Sequence, residues 1–192
     1  MARREVLEGG HVKGSMMAAH LRWVKEQRPP AEQERFWSSL PRDVHERVSG
    51  MILPVQWYDF ADLIAVDRAI VNRFAGGDAT LLREVGAYSA QINLSGVYKT
   101  FTRSSVHAFL DNGARLHNNF QDFGSVLYVK TGITSANMIH TGYSCYSPLF
   151  CESAIGFYVQ AVTMHGVTDP VAVETSCHCR GDESCTFVIR WR

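Results

Sequence analysis

Two stretches near the end of the chain decide the fold: PLFCESAIGFYVQAVTMHG at residues 148–166 and VAVETSCHCRGDESCTFVIRW at residues 171–191. The first follows Ser147, a favoured N-cap residue. It begins with Pro148, tolerated at a first helical position because its missing N–H would be unpaired there anyway. Gly166 suits the far end, so the pattern predicts one helix with Cys151, Ile155, Tyr158 and Val162 on a single inward stripe. The second stretch alternates apolar and polar residues on both sides of a polar turn, Arg180 to Ser184, as the two strands of a hairpin do. On that alternation Val171, Val173 and Cys177 share one face of the first strand. Cys185, Phe187, Ile189 and Trp191 share one face of the second.

Three sulfurs, those of Cys151, Cys177 and Cys185, are thereby expected to point into one interior, one from a helix and two from the hairpin. Thiolate sulfur is a preferred zinc ligand, and a structural zinc ion takes four ligands in a tetrahedron. For the fourth, spacing leaves two candidates. Glu174 sits at odd separation from Cys177, so strict alternation aims it at the opposite face unless a bulge or strand end near Thr175 intervenes. Cys179 shares the parity of Cys177 and would complete an all-cysteine site. The bland alternative is that the thiols are small buried hydrophobes. Four of the five cysteines fall within the last 42 residues, three of them around one turn, which favours a metal.

Working outward, Ser125 to Thr131 and Ser135 to Gly142 read as strands joined by a turn at Gly132. The chain before them reads as helices, after a short strand over Val6 to Val12. Gly14 to Gln27 carries Met17, Leu21 and Val24 at helical spacing and is closed by Pro29 and Pro30. Brief helices are expected over Glu32 to Leu40 and Arg42 to Val48, parted by Pro41. Asp59 is the expected N-cap of a helix with Leu63, Val66, Ile70 and Phe74 inward, stopped by Gly76-Gly77. Asp78 caps a long helix with Leu81, Val85, Tyr88 and Ile92 inward, continuing to Val97 and Phe101, in which Gly86 and Gly96 either weaken the helix or admit close packing. Ser104 or Ser105 starts another that reaches Leu116.

Composition narrows the function classes. The 19 basic and 19 acidic side chains cancel and neither forms a block, so no general attraction to nucleic acid or anionic lipid follows. No apolar run spans a bilayer and none resembles the core of a signal peptide, which places the chain in the cytoplasm, where thiols stay reduced. With hydrophobic residues at 46%, 192 residues suffice for one folded domain over 1–192.

The order Cys151, Glu174, Cys177, Cys185, with Gly181-Asp182 before the last cysteine and Thr186-Phe187 after it, resembles the zinc motif of the 4-vinyl-reductase-like domain. The remainder, in Lys13-Gly14-Ser15, Leu21-Arg22-Trp23-Val24, Trp57-Tyr58, Gly76-Gly77-Asp78 and Gly96-Val97-Tyr98 with Phe101, resembles a family of uncharacterised bacterial proteins. The first resemblance implies Glu174 rather than Cys179 as fourth ligand, and zinc as a structural cofactor. It also implies a fold similar to subunits of the TRAPP tethering complex and to haem nitric-oxide-binding domains. Such domains form the sensory part of bacterial regulators that respond to phenol-like aromatics. The polar residues with which those sensors hold phenols have no counterpart identifiable here, so phenols do not carry over. The fold implied agrees with the pattern: an α/β chain of the α+β kind, with an N-terminal helical layer on a mixed or antiparallel sheet and a C-terminal helix and β-hairpin joined by zinc.

The function expected is a non-catalytic sensor enclosing a small hydrophobic or aromatic ligand, working as a homodimer with a protein partner. The expected pocket is lined by Tyr98, Phe101, Phe109, Phe123, Tyr128 and Tyr143, although such aromatics are more often plain core. A TRAPP-like scaffold without ligand is one alternative. An auxiliary reductase and a haem sensor using His107 or His117 are others, with no C-x-x-C-H motif behind the haem. Pairing Cys145 or Cys151 with His140 or His165 yields no nucleophile, base and orienting acid in sequence, so catalysis is not expected. Gly76-Gly77-Asp78 lacks the lysine of a phosphate loop.

Overall fold

Helix α1 (Gly14–Gln27) stops ahead of Pro29 and Pro30, and Pro30 opens α2 (Pro30–Ser39) as its first residue. Pro41 parts α2 from α3 (Arg42–Val48), because a proline supplies no N–H to carry a helix through. The computed structural model describes residues 4–95 and 105–192. Tyr98 and Phe101 of the expected pocket, and the expected continuation of a helix through Val97, lie outside the described residues.

The expected strand over Val6 to Val12 shortens to β1 (His11–Lys13), with Val6 making one isolated bridge to Tyr146. Its partner is β2 (Trp57–Asp59), paired antiparallel as His11 with Asp59 and Lys13 with Trp57. That pairing explains why Asp59 makes no side-chain cap on α4 (Phe60–Ala75): its carboxylate turns instead to His11 Nε2, 3.4 Å away. The far end of α4 is the glycine stop expected, Gly76 at φ 57°, a left-handed conformation that costs glycine little. Asp78 accepts from the Thr80 N–H at 3.0 Å and caps a single 3₁₀ turn, which runs into α5 (Leu82–Ser95). Ser105 caps α6 (Val106–Arg115), accepting from the Ala108 N–H at 3.2 Å.

The second half is a four-stranded antiparallel sheet made of β3 (Ser125–Gly132), β4 (Ser135–Thr141), β5 (Val171–Ser176) and β6 (Ser184–Arg190), in the order β3-β4-β6-β5. Helix α7 (Pro148–Thr163) joins β4 to β5, with Ser147 Oγ accepting from the Leu149 N–H at 3.3 Å. On β6 the inner face is the expected one, with Cys185, Phe187 and Ile189, and its neighbour β4 turns Ala136, Met138 and His140 to the same side. On β5 the expectation is reversed. Ala172 pairs with Ile189 and is buried with it, whereas Val171 and Val173 pair with Arg190 and Val188, face outward and are each 51% exposed. Alternation fixes that two faces exist; the pairing with β6 decides which is inner.

Two buried clusters result, one around Phe60, Leu63 and Ile64 in the helical layer and one around Ile155, Phe187 and Ile189 between α7 and the sheet. Helices α5 and α7 touch backbone to backbone between them. A Cβ on Gly86 would stand 1.9 Å from the Ser153 carbonyl oxygen, and one on Gly156 would stand 1.9 Å from the Arg83 carbonyl oxygen. Two glycines therefore set the separation of these helices. Among the described residues no helix is long and apolar enough to cross a membrane.

Candidate functional site

Between the helical layer and the sheet lies a cavity of about 180 Å³, walled by α1, α5, α6 and α7 above and by β3 and β4 below. Its wall is mostly apolar, from Met16, Leu94, Phe109, Leu110, Met138 and Phe157, with His20, His117, Gln121, His140 and Tyr158 set among them.

Those polar groups are organised. The Tyr143 hydroxyl donates to Gln121 Oε1 at 3.0 Å, so its oxygen accepts from His140 Nδ1–H at 2.9 Å. His140 Nε2 is then the ring's lone pair and accepts from the Tyr158 hydroxyl at 2.7 Å. One directed chain of hydrogen bonds thus runs from Tyr158 through His140 and Tyr143 to Gln121. A neutral imidazole at its centre is what burial dictates: desolvation, with His117 and His178 nearby, pushes His140 down to about 3. Desolvation also holds His117 below its usual range, and its Nε2–H donates to the Phe123 carbonyl at 3.1 Å.

His20 is different because its partner is a carboxylate. It occupies a core position on α1, and Asp67 occupies one on α4; they are 2% and 0% exposed. Nδ1 of His20 and Oδ1 of Asp67 are 2.6 Å apart, while Asp67 Oδ2 is buried with no partner. Asp67 does not reach the wall of the cavity, and the imidazole stands between it and the void.

Of the expected pocket residues, Phe109 lines this cavity. Phe123 does not; it packs against Phe60 and Tyr143 at ring separations of 5.2 and 5.3 Å, inside the helical core. Tyr128 lies on β3 one pleat beyond Val126, past the end of the cavity, where its hydroxyl meets His107 Nδ1 at 2.6 Å. Tyr143 stands behind the wall and acts on it through His140 and Gln121. The choice by aromatic type therefore missed the polar part. The available signal was a histidine within the stripe Met17, His20, Val24, together with an aspartate on the apolar face of α4.

The cysteine cluster forms at the start of α7. Ligand atoms of Cys151, Glu174, Cys177 and Cys185 all lie within 4.8 Å of one another. The sulfur of Cys151 is 3.7 Å from that of Cys177 and 4.0 Å from that of Cys185, and the last two are 3.8 Å apart. The parity conflict is resolved by a register shift: Glu174 pairs with Phe187 and Ser176 with Thr186, leaving Thr175 as an extra residue that brings Glu174 round to the side of Cys177. Glu174 Oε2 accepts from Arg180 Nη1 at 3.2 Å, Oε1 is buried without a partner, and desolvation pushes the carboxyl up to about 7. Cys179 is buried in the same turn, outside the four-donor set. Cys145 is buried in the helical core, and burial pushes its thiol up to about 12.

Helices layered on an antiparallel sheet, with a cavity between the layers, define the fold. Solved structures share it. An H-NOX protein from S. oneidensis in the Fe(II)NO ligation state superposes with a TM-score of 0.72 at 12% identity, over 94% of this chain and 99% of that one. An oxygen-binding H-NOX domain related to soluble guanylate cyclases, in its oxygen complex, gives 0.69 at 11%, over 94% and 95%. A structure described as probing the function of heme distortion in the H-NOX family gives 0.71 at 12%, over 94% and 95%. Identities this low establish the fold, and the haem nitric-oxide-binding likeness expected from the sequence holds at that level. No protein-family model matches the sequence, and no curated relative does.

The expectation of zinc as the cofactor is corrected here. The structures that share this fold are described by an Fe(II)NO state, an oxygen complex and a heme, not by zinc. The cluster does not name an ion by itself, because sulfurs 3.7 to 4.0 Å apart are also at thiol-to-thiol contact distance.

Proposed function

We propose that the chain is a sensor-type binding module whose cavity takes one small, largely apolar molecule about the size of a single ring. The observation that carries this is the cavity of about 180 Å³ between helices and sheet. A dry apolar cavity of roughly 150 Å³ is enough to bind benzene. Occupancy would press on α5, α6 and α7 together, and a partner or a second copy of the chain would read the change in their packing. The kinship with 4-vinyl-reductase-like domains, the homodimer and the protein partner belong to this same proposal, supported by the spacing of the four-donor motif.

The haem of the fold neighbours meets these residues only in part. His117 spends Nε2 on the Phe123 carbonyl, and Nδ1 is the ring nitrogen that would be left to hold the iron. A cavity sized for one ring does not hold four linked pyrroles, and among the described residues that line it there is no lysine or arginine to meet propionates. The cavity therefore does not fit haem. The four donors at Cys151, Glu174, Cys177 and Cys185 we propose as ligands of a single metal ion, supported by their mutual approach within 4.8 Å.

Methyl signals of ¹³C-labelled methionine test the cavity. Toluene should shift Met16 and Met138, which line it, and leave Met51, which is 86% exposed, unmoved. If Met16 and Met138 stay fixed up to saturating toluene, the binding-module proposal fails. Added hemin should give no axially ligated spectrum; a stable one that is lost in His117→Ala would reinstate the haem sensor.

A further inference from the structure

The His20–Asp67 pair stands apart from the hydrogen-bonded chain of Tyr158, His140, Tyr143 and Gln121. Both side chains are almost fully buried, and their contact of 2.6 Å is that of a charge-assisted hydrogen bond. Since Nδ1 is spent on Asp67, Nε2 is the one polar atom with which His20 meets an occupant of the cavity.

We infer that this pair selects the ligand by presenting a hydrogen-bond donor, the His20 Nε2–H, to a small neutral ring compound that carries an acceptor such as a carbonyl oxygen. The inference rests on the cavity proposal above and deepens it.

Counting protons gives the sign. With one proton shared between the residues' facing atoms, the pair has two electrically neutral forms. In one, Asp67 is a carboxylate and His20 an imidazolium with hydrogens on both nitrogens. In the other, the Asp67 carboxylic acid donates to Nδ1 and the neutral ring carries its hydrogen on Nε2. Both place a hydrogen on Nε2. The remaining arrangement, a carboxylate facing a neutral ring protonated at Nδ1, leaves Nε2 bare and buries an uncompensated negative charge. That is costly away from water, and all the more so here because Asp67 Oδ2 has no hydrogen-bond partner to offset it.

The occupant must therefore offer an acceptor or leave a buried donor unmet. An anionic acceptor would bring the uncompensated charge back into the same enclosure, so a carboxylate is rejected and a neutral carbonyl taken. The apolar lining and the volume fix the rest of the molecule as a single hydrocarbon ring.

Cyclohexanone, methylcyclohexane and cyclohexanecarboxylate have similar rings and differ at the head. Their binding is read from the Met16 and Met138 methyl signals in wild-type protein and in a His20→Leu/Asp67→Leu double variant, an apolar exchange that buried pairs commonly tolerate. Methylcyclohexane leaves water more readily, so the readout is the ratio of its Kd to that of cyclohexanone. That ratio should be roughly tenfold larger in wild type than in the double variant, the worth of one hydrogen bond. Cyclohexanecarboxylate should not bind wild type at neutral pH. Independently of any variant, the ¹⁵N signal of His20 Nε2 in the free wild-type protein should be that of a nitrogen bearing hydrogen. An unchanged ratio, or a bare Nε2, overturns the donor role while leaving a cavity that binds methylcyclohexane intact. Failure of all three compounds to move Met16 or Met138 removes the cavity proposal, and this inference with it.

Discussion

Replacing Gly156 with alanine tests the backbone contact between α5 and α7. The new methyl group would lie 1.9 Å from the Arg83 carbonyl oxygen and 2.6 Å from its carbonyl carbon and Cα, all backbone, so no side chain can swing aside. The gap is about 1.5 Å short of ordinary contact, and only a movement of α7 away from α5 restores it. Overpacking of this kind costs about 1–3 kcal/mol, and more where backbone must move. Against it stands the gain of about 1 kcal/mol from alanine over glycine inside a helix. The net expectation is a loss of about 2 kcal/mol, or about 4–8 °C in Tm for a chain of this length. Urea unfolding followed by circular dichroism reads it directly. Gly86→Ala meets the Ser153 carbonyl in the mirror-image contact and should cost as much alone. The double variant should cost less than the sum, because one separation of the helices accommodates both methyl groups. Since helix propensity alone would stabilise the variant, an unchanged or raised midpoint for Gly156→Ala refutes the backbone contact between α5 and α7.

The other expectations concern charge, capping and pH. Asp62, 3% exposed, accepts from Arg47 Nε and Nη2 at 2.7 Å each, so Arg47→Met should destabilise by about 2–4 kcal/mol by stranding a buried carboxylate, the half-exposed arginine keeping it below the upper limit for buried pairs. Arg47→Lys should recover part of that loss, and equal stability of Arg47→Met and wild type would contradict the pairing. Ser147 Oγ caps α7 and also donates to Glu5 Oε2 at 2.9 Å; Ser147→Ala should cost about 1 kcal/mol in urea unfolding. His140 titrates near 6.5 when unfolded and at about 3 when folded, so its neutral form supports the fold above pH 6.5. That contribution is lost as pH falls from 6.5 towards 3, at up to about 1.4 kcal/mol per pH unit. Between pH 7 and 4 the urea midpoint should fall more steeply for wild type than for His140→Gln, and parallel curves would refute the burial of a neutral imidazole.

Much of the architecture was legible because short-range chemistry decides it. Pro29 and Pro30, Ser147-Pro148 and the glycines at 76 and 77 mark helix ends by removing donors or admitting left-handed backbone, which needs no tertiary partner. The strand Trp57–Asp59 was not legible, since three residues carry too little pattern and Asp59 finds its pairing partner 48 positions away at His11. The inner face of β5 was misjudged because alternation is blind to which side is covered. The approach of Glu174 to Cys177 depends on an extra residue at Thr175, a matter of register with β6 that neither strand records alone. The cavity's polar groups escaped for another reason: His20 and Asp67 make sense only as a pair, 47 residues apart on different helices.

One helix connects these features, and that is the strongest reason to regard the cavity as a sensing site. Along α7, Cys151 faces the thiol cluster, Gly156 rests on the backbone of α5, and Ser153, Ala154, Phe157 and Tyr158 face the void. The cluster ties the start of the helix to the β5–β6 turn, and the glycine contact fixes its middle against α5, so α7 cannot slide along its axis without breaking one or the other. What this leaves is a small tilt about the contacts of Gly86 with Ser153 and of Gly156 with Arg83. An occupant pressing on Phe157 and Tyr158 acts on that tilt, and Tyr158 passes the displacement to His140 through a hydrogen bond of 2.7 Å. A ligand can shift such a tilt only by as much as its affinity differs between the two settings. On this geometry Gly156→Ala, which forces the tilt without a ligand, should alter the affinity for toluene as well as the stability, whereas Ser147→Ala should alter stability alone. Methionine methyl titrations of the two variants separate these outcomes, and equal toluene affinities in both would leave α7 a wall of the cavity with no part in signalling.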